Sequence, residues 1–325
     1  MDARALSACA APPHITIVML THNRRDTVCA SVERLRRSDP DVPIVVVDNG
    51  SSDGTTHALC TRFPEIIVVR LRTNVGAAAR NAGLRITESP YVALSDDDTW
   101  WAPGALASAA AVLDGWPDVA IVTGRVVVGD RARPDSACIA MARSPLWTPP
   151  GAPGRCVLGF LAGASVVRRE ACLAAGGFEP RFFLGGEEQL LALDLVTAGW
   201  WILYAPHVVV HHHPSPLRDA ASRRRLLLRN ALWSAWLRRR AGSAVARTVD
   251  LLRGSPRDAS TALALAEAVA GVPWVLWHRR VLPATIDEAL RRVEGAEARR
   301  QPRRVATPTK HIPQVRRSSW ARRPT

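Results

Sequence analysis

Residues 44–55 read Ile44-Val45-Val46-Val47-Asp48-Asn49-Gly50-Ser51-Ser52-Asp53-Gly54-Thr55. Four branched apolar residues run without a polar break into an acid and then a turn, the pattern of a strand buried between layers. Similar runs lie on either side. Stretches rich in Val and Ile cover 15–20, 66–71, 91–94 and 119–128. An amphipathic helical period fills 26–38, and an Ala-rich helical stretch fills 76–86. Strands alternating with helices predict an α/β domain, a mostly parallel sheet with helices on both faces. Such sheets bind ligands beyond the C-terminal ends of their strands, so the polar residues at those ends carry the chemistry.

The periodicity is lost over 129–160, where Pro, Gly and small residues dominate and the reading is a loop region. A helix near 168–175, a Gly-Gly turn, a helix over 187–198 and a strand over 201–210 follow. From 217 onward the chain reads as helical, with segments at 222–240, 243–252, 260–270 and 285–293. The expected organisation is a disordered stretch at 1–13, an α/β domain at 14–215, a helical region at 216–298 and a basic disordered tail at 299–325.

The 325 residues are 47% hydrophobic and 22% charged, a composition that supports a real core. The net charge of +14 suggests a nucleic-acid binder only until it is placed along the chain. Nine of the 43 Lys and Arg fall in 299–325, which holds no acid and is too poor in apolar residues to fold alone. No nucleic acid is expected as partner; an anionic lipid surface is the alternative use for such an arm. Six scattered cysteines with no C-x-x-C pair point to reduced thiols, not to a disulfide scaffold or a zinc site. Residues 1–13 lack the basic start and apolar run of a secretory signal. The most apolar window, 261–277, contains Glu267 and Pro273, which argues against a spanning helix. The expectation is a cytoplasmic protein, with peripheral contact to the inner face of a membrane as a further option.

Four strand ends finish in polar groups: Leu20-Thr21-His22-Asn23-Arg24, Val47-Asp48-Asn49-Gly50-Ser51, Asn74-Val75-Gly76 with Arg80-Asn81, and Leu94-Ser95-Asp96-Asp97-Asp98. A carboxylate such as Asp48 accepts from a base N–H or a ribose hydroxyl, and the small residues after it let a turn approach a ligand. Arg80, among Ala and Gly at a helix start, favours an anion. Asp96 and Asp98 offer hard oxygen ligands for Mg²⁺ or Mn²⁺ bridging to a diphosphate. Singly each is a common turn or a solvated acidic loop; their ordered succession is the signal.

These motifs together resemble the family 2 glycosyltransferases over about residues 14–215. The resemblance implies a GT-A-type, Rossmann-like fold and inverting transfer from a nucleotide diphosphate sugar donor to a hydroxyl acceptor. It implies nucleotide-sugar contacts by Thr21, Asn23, Arg24, Asp48, Asn49, Ser51, Asn74, Gly76, Arg80, Asp96 and Asp97, and metal ligation by Asp98 with Asp96. Gly163-Ala164-Ser165, Arg168-Arg169-Glu170 and Gly176-Gly177-Phe178 resemble the family's acceptor-side strand and helix. Gly185-Gly186-Glu187-Glu188 stands where the family usually carries Glu-Asp, so Glu188 matches the general base, with Glu187 beside it. The Asp and Arg often found downstream in that helix are replaced by Leu190 and Asp194, which leaves the acceptor open: saccharide, lipid-linked or small molecule.

Two features beyond the core motifs carry weaker expectations. In His211-His212-His213, an extended chain puts His211 and His213 on one side; the family resemblance implies that a His near here completes the metal shell, and His211 is chosen for it over His213. Trp233 and Trp236 with their flanking arginines suit a helix packed on the catalytic domain, or one lying on a membrane; Trp274 and Trp277 pose the same choice. Other function classes fit less well. A sugar nucleotidyltransferase is expected to show a Gly-rich, basic loop near the N-terminus, which Thr21-His22-Asn23-Arg24 does not provide. A degenerate donor-binding scaffold is expected to have lost one of the acid pairs, and both are present.

Overall fold

The computed structural model describes residues 14–129, 133–214 and 220–300. The expectations for 1–13 and for the tail past 300 lie outside the described residues. In chain order the elements are β1 (Ile15–Thr21), α1 (Arg25–Ser38), β2 (Ile44–Asp48), α2 (Thr55–Arg62) and β3 (Ile67–Arg70). A 3₁₀ turn (Gly76–Ala79) runs into α3 (Arg80–Ile86), then β4 (Tyr91–Asp96), β5 (Thr99–Trp101) and α4 (Ala105–Gly115). Next are β6 (Val119–Val128), β7 (Arg133–Pro134), α5 (Ser136–Ala142), β8 (Arg155–Cys156), β9 (Ala164–Arg168) and α6 (Arg169–Ala174). A second 3₁₀ turn (Pro180–Phe182) precedes α7 (Glu187–Thr197) and β10 (Trp201–His212). The helices α8 (Ala220–Arg238), α9 (Ala241–Gly254), α10 (Ala259–Ala270), α11 (Val272–Trp277) and α12 (Ala284–Arg300) complete the order.

All the strands join one sheet, in the order β3-β2-β1-β4-β9-β6-β10-β5, with β7 on β6 and β8 on β10. β1 pairs in parallel with β2 and β4, and β2 with β3, whereas β9 runs antiparallel between β4 and β6. β2 is buried along its whole length, as its uninterrupted apolar run requires. α1 covers one face with Val28, Val32 and Leu35, spaced three and four apart. The register then does the functional work. Thr21 pairs with Asp48 and Leu20 with Asp96, so three strand ends present their polar residues along one edge.

The 129–160 stretch, expected to be loop, holds α5 and two two-residue strands among its described residues. Asp135 caps α5 by accepting from the Ala137 N–H at 2.8 Å, and Cys138 is buried beneath β6, where its Sγ accepts from the Val126 N–H. β5 was not expected either. It turns back after Asp98 to pair antiparallel with the end of β10, setting His212 opposite Thr99. The C-terminal helices pack on the sheet domain through a shared core: Leu228, Leu232, Trp233 and Leu237 of α8 meet Phe182 and Leu190. Trp233 and Trp236 therefore face protein, Trp236 donating to the Thr248 hydroxyl. No helix among the described residues is long and apolar enough to cross a membrane.

Candidate active site

The Asp96-Asp97-Asp98 turn closes β4; Asp97 and Asp98 share Arg24, whereas Asp96 pairs with Arg80. Asp97 is buried, accepting from the Thr21 hydroxyl at 2.9 Å and from Arg24 at 2.8 Å. Burial pushes its carboxyl up to about 6; Arg24 opposes that rise and Asp98 adds to it. Asp98 is also buried and accepts from Arg24 at 3.1 Å, with His212 Nε2 at 3.4 Å from its other oxygen. Desolvation works against the Asp98 carboxylate, but His212 and Arg24 together outweigh it and hold its pKa below the ordinary value. The Asp96 side chain remains 42% exposed and accepts from Arg80.

His211, the expected metal-side histidine, is elsewhere: its ring stacks on Trp100 with centroids 5.4 Å apart, and Arg34 lies over the same indole. The strand's alternation is as expected, but pairing with β5 turns His212 toward Asp98.

The residues matched to the nucleotide divide into two groups. Asp48 is fully buried and serves its own turn, accepting from the Ser51 N–H at 2.9 Å and from the Thr56 hydroxyl. Asn49 donates to Asn74 Oδ1 at 2.8 Å and to the Gly76 carbonyl at 3.0 Å, tying the second strand end to the third. Ser51 accepts from the Asn23 N–H, and Asn23 accepts from the Ser52 N–H, tying the first to the second. These groups hold the three strand ends together. Asn23 and Asn74, exposed, and Arg24 and Asp96, partly so, are left at their surface.

Arg80, paired with Asp96, and the two glutamates form a second charged group next to the strand-end acids. Arg80 is buried with its guanidinium over the Phe178 ring, and its Nε has no hydrogen-bond partner among the described residues. Glu187 opens α7 after Gly186, is buried, and likewise has an unpartnered oxygen, Oε2. Two orphaned buried polar atoms in one electrostatic neighbourhood call for an external partner. Burial raises the Glu187 pKa, Arg80 opposing the rise and Asp96 assisting it.

Glu188 accepts from the Ala162 N–H at 2.6 Å. Its carboxyl is pushed up to about 7, by burial first and by the Glu187 charge second. Asp96 abuts the next residue of the same segment, for a Cβ on Gly163 would lie 2.6 Å from Asp96 Oδ2. The segment around Ala162-Gly163 thus bridges the strand-end acids and the α7 acids.

Glu188 also lines a cavity of about 510 Å³. Its walls include Met141 of α5, Leu158 and Phe160 of the following segment, and Leu290 and Val293 of α12. A fixed turn sets the glutamates in place. Phe183 adopts φ 60°, its carbonyl accepts from the Ala77 N–H, and Gly76 has φ 64° with no room for a Cβ against that carbonyl. Asn230 of α8, which no sequence motif marked, donates to the carbonyls of Phe182, Leu184 and Gly185.

A sheet of this topology, with its acids at the strand ends and a separate cavity across the α7 N-terminus, is the plan of a GT-A-type glycosyltransferase, an enzyme that takes sugar from a nucleotide sugar. Residues 16–153 match the model of Glycosyl transferase family 2. An N-acetylglucosaminyl-diphospho-decaprenol L-rhamnosyltransferase of Mycobacterium tuberculosis is 29% identical over 217 residues, covering 56% of this chain and 70% of its own length. A pre-mycofactocin glycosyltransferase of the same species is 30% identical over 226 residues, covering 66% of this chain and 46% of its own length. The mannosyltransferase PcManGT of Pyrobaculum calidifontis, solved with GDP-Man and Mn²⁺, shares the fold with TM-score 0.54 at 18% identity, covering 89% of this chain and 88% of that one. S. aureus TarS 1–349, solved with UDP, has TM-score 0.55 at 17% identity, covering 90% and 93%.

Proposed function

We propose that this chain is an inverting glycosyltransferase in which Glu188 takes the proton from an acceptor hydroxyl seated in the α5–α7–α12 cavity. The observation that carries the reading is the position of Glu188. It lines the cavity on one side, is coupled to Asp96 and Arg80 on the other, and has a pKa near neutrality. A base titrating near the working pH both holds its unprotonated form and accepts a proton readily. The Ala162 N–H keeps the carboxylate aimed while the proton moves. Arg80 and the partnerless Oε2 of Glu187 line the route between donor and acceptor, with Arg80 set to stabilise charge on the departing diphosphate.

The donor set suits a hard divalent ion, Mg²⁺ or Mn²⁺. Asp98 and His212 are adjacent and Asp96 is accessible, yet no three such groups among the described residues gather into a preformed cage. That matches an ion held by one or two carboxylates and completed by phosphate oxygens. Asp98, Asp96 and His212 would hold it, and when bound it would supply charge neutralisation to the diphosphate leaving group. The nucleotide would lie on the Asn23, Arg24 and Asn74 surface. The mycobacterial relative named for a decaprenol-linked saccharide makes an envelope-glycan intermediate a first acceptor class to try.

The test is Glu188→Gln. Thermal shifts across UDP-, GDP- and dTDP-sugars with Mn²⁺ should match wild type, while transfer falls by about 10²–10⁴-fold. Undiminished turnover would remove Glu188 as base and turn attention to Glu187.

A further inference from the structure

The helical region ends α10 and begins α11 with apolar side chains pointing in two directions. Ala264, Ala268 and Val275 are buried, and Trp274 packs edge-on against Trp233 and Phe182 at 5.4 and 6.5 Å. Immediately beside them Val269 is 70%, Leu276 61% and Trp277 87% exposed, and Val272 is exposed too. Val269 lies at the end of α10, and Val272 and Leu276, four apart, share an outward face of α11.

This is not a fraying end. Trp274 and Val275 fix α11 from within, and the segment after it is clipped to α8 by the Arg280 N–H on Leu237 and the Leu282 N–H on Arg238. A rigid corner that shows a tryptophan and three aliphatic side chains to water is a surface built to be covered.

The charge around it names the cover. No acid occurs between Glu267 and Asp287, and Arg280, three residues after Trp277 in sequence, is exposed; the amino-acid sequence of 299–325 holds nine cationic residues and no acid. Apolar side chains around a tryptophan, bordered by arginines, match the acyl–headgroup boundary of an anionic bilayer, where Trp prefers to sit and each nearby cation adds attraction. We propose that the α10–α11 corner is a membrane-docking wedge, with Val269, Val272, Leu276 and Trp277 inserted into an anionic bilayer and Arg280 on its headgroups. The proposal is independent of the catalytic assignment, since none of these residues touches the site.

Flotation of the full chain with phosphatidylcholine vesicles, with and without phosphatidylglycerol, tests it. Wild type should float with the anionic vesicles. The double variant Leu276→Ser, Trp277→Ser should bind them about tenfold more weakly or worse, as expected for withdrawing two large apolar side chains from the interface. Its thermal shift with nucleotide sugar should be unchanged, which also shows that it folds. Equal binding of the double variant would mean that the basic tail acts alone, and would overturn the wedge. Brominated lipids supply a second reading that a folding defect does not confuse. They should quench wild-type tryptophan emission, and the conservative Trp277→Phe variant should lose much of that quenching while still floating. Unaltered quenching would overturn insertion of Trp277. So would a dimer in size-exclusion chromatography that Trp277→Ser dissolves, because the cover would then be a second copy of the chain.

Discussion

Asn230 lies more than forty residues along the chain from the three carbonyls that it holds, those of Phe182, Leu184 and Gly185. It is fully buried, and its contact with the Phe182 carbonyl is buried as well, so that carbonyl loses its partner if the amide is removed. Asn230→Ala should therefore cost about 1–3 kcal/mol in a denaturant melt. It should also lower kcat more than it raises the donor KM, because the released turn carries Glu187 and Glu188. A change confined to donor KM would show that the turn does not position the base. Nothing in Leu228-Arg229-Asn230-Ala231 marks this role, since a side-chain clamp on distant backbone has no local pattern. The histidines teach a related lesson. Alternation tells which of His211, His212 and His213 share a side, but the pairing of Val210 with Trp101 decides which side meets Asp98. By contrast the places of Asp96 and of Glu187 in the fold, at a strand end and at a helix start, were readable because β4 and α7 were both expected as elements.

At the scale of elements, α7 is the joint between the sheet and the C-terminal helices. Asp194 on α7 accepts two hydrogen bonds from Arg238 at the end of α8, at 2.6 and 2.9 Å, with both side chains largely shielded from water. Removing one partner leaves the other charge buried and alone. Asp194→Ala should thus destabilise by about 3–5 kcal/mol. Pairing it with Arg238→Met should restore much of that loss in an equilibrium urea titration; a double variant no more stable than the single would show that the ion pair is not the cause. The sequence showed Asp194 only as a departure from a familiar pattern; its partner supplies the reason. Elements with a clear period, such as α1 and the Val/Ile strands, were readable from spacing. α4 was not, because its Ala-rich surface is buried at Ala105, Leu106, Ala109, Ala110, Val112 and Leu113 and leaves little polar face to define a period. α5 was hidden for another reason, being about two capped turns in a stretch rich in Pro and Gly.

Across the whole molecule, the site concentrates groups that the folded state holds at a cost. Arg80 Nε and Glu187 Oε2 are buried without partners, and Glu188 is a carboxyl group whose pKa is near 7. The direction of its pH effect follows from linkage. With the folded pKa above the ordinary carboxylate value, the folded chain binds the proton more tightly than the unfolded chain does. Stability is therefore fullest below the unfolded pKa of 4.5 and declines as pH rises through about 7, after which the penalty is complete. Gln keeps an acceptor for the Ala162 N–H, carries no charge, and removes the repulsion from Glu187. Glu188→Gln should accordingly melt higher than wild type at pH 8, by of order 2 kcal/mol, and the difference should shrink toward pH 5. The same group should shape activity in the opposite sense, with wild-type kcat rising along an acid limb centred near pH 7 as the base loses its proton. Melting curves of the two proteins from pH 5 to 8 decide the matter. A stability difference that does not vary with pH would mean that Glu188 is not a neutral-pH acid in the folded enzyme, and the acid limb would then belong to another group.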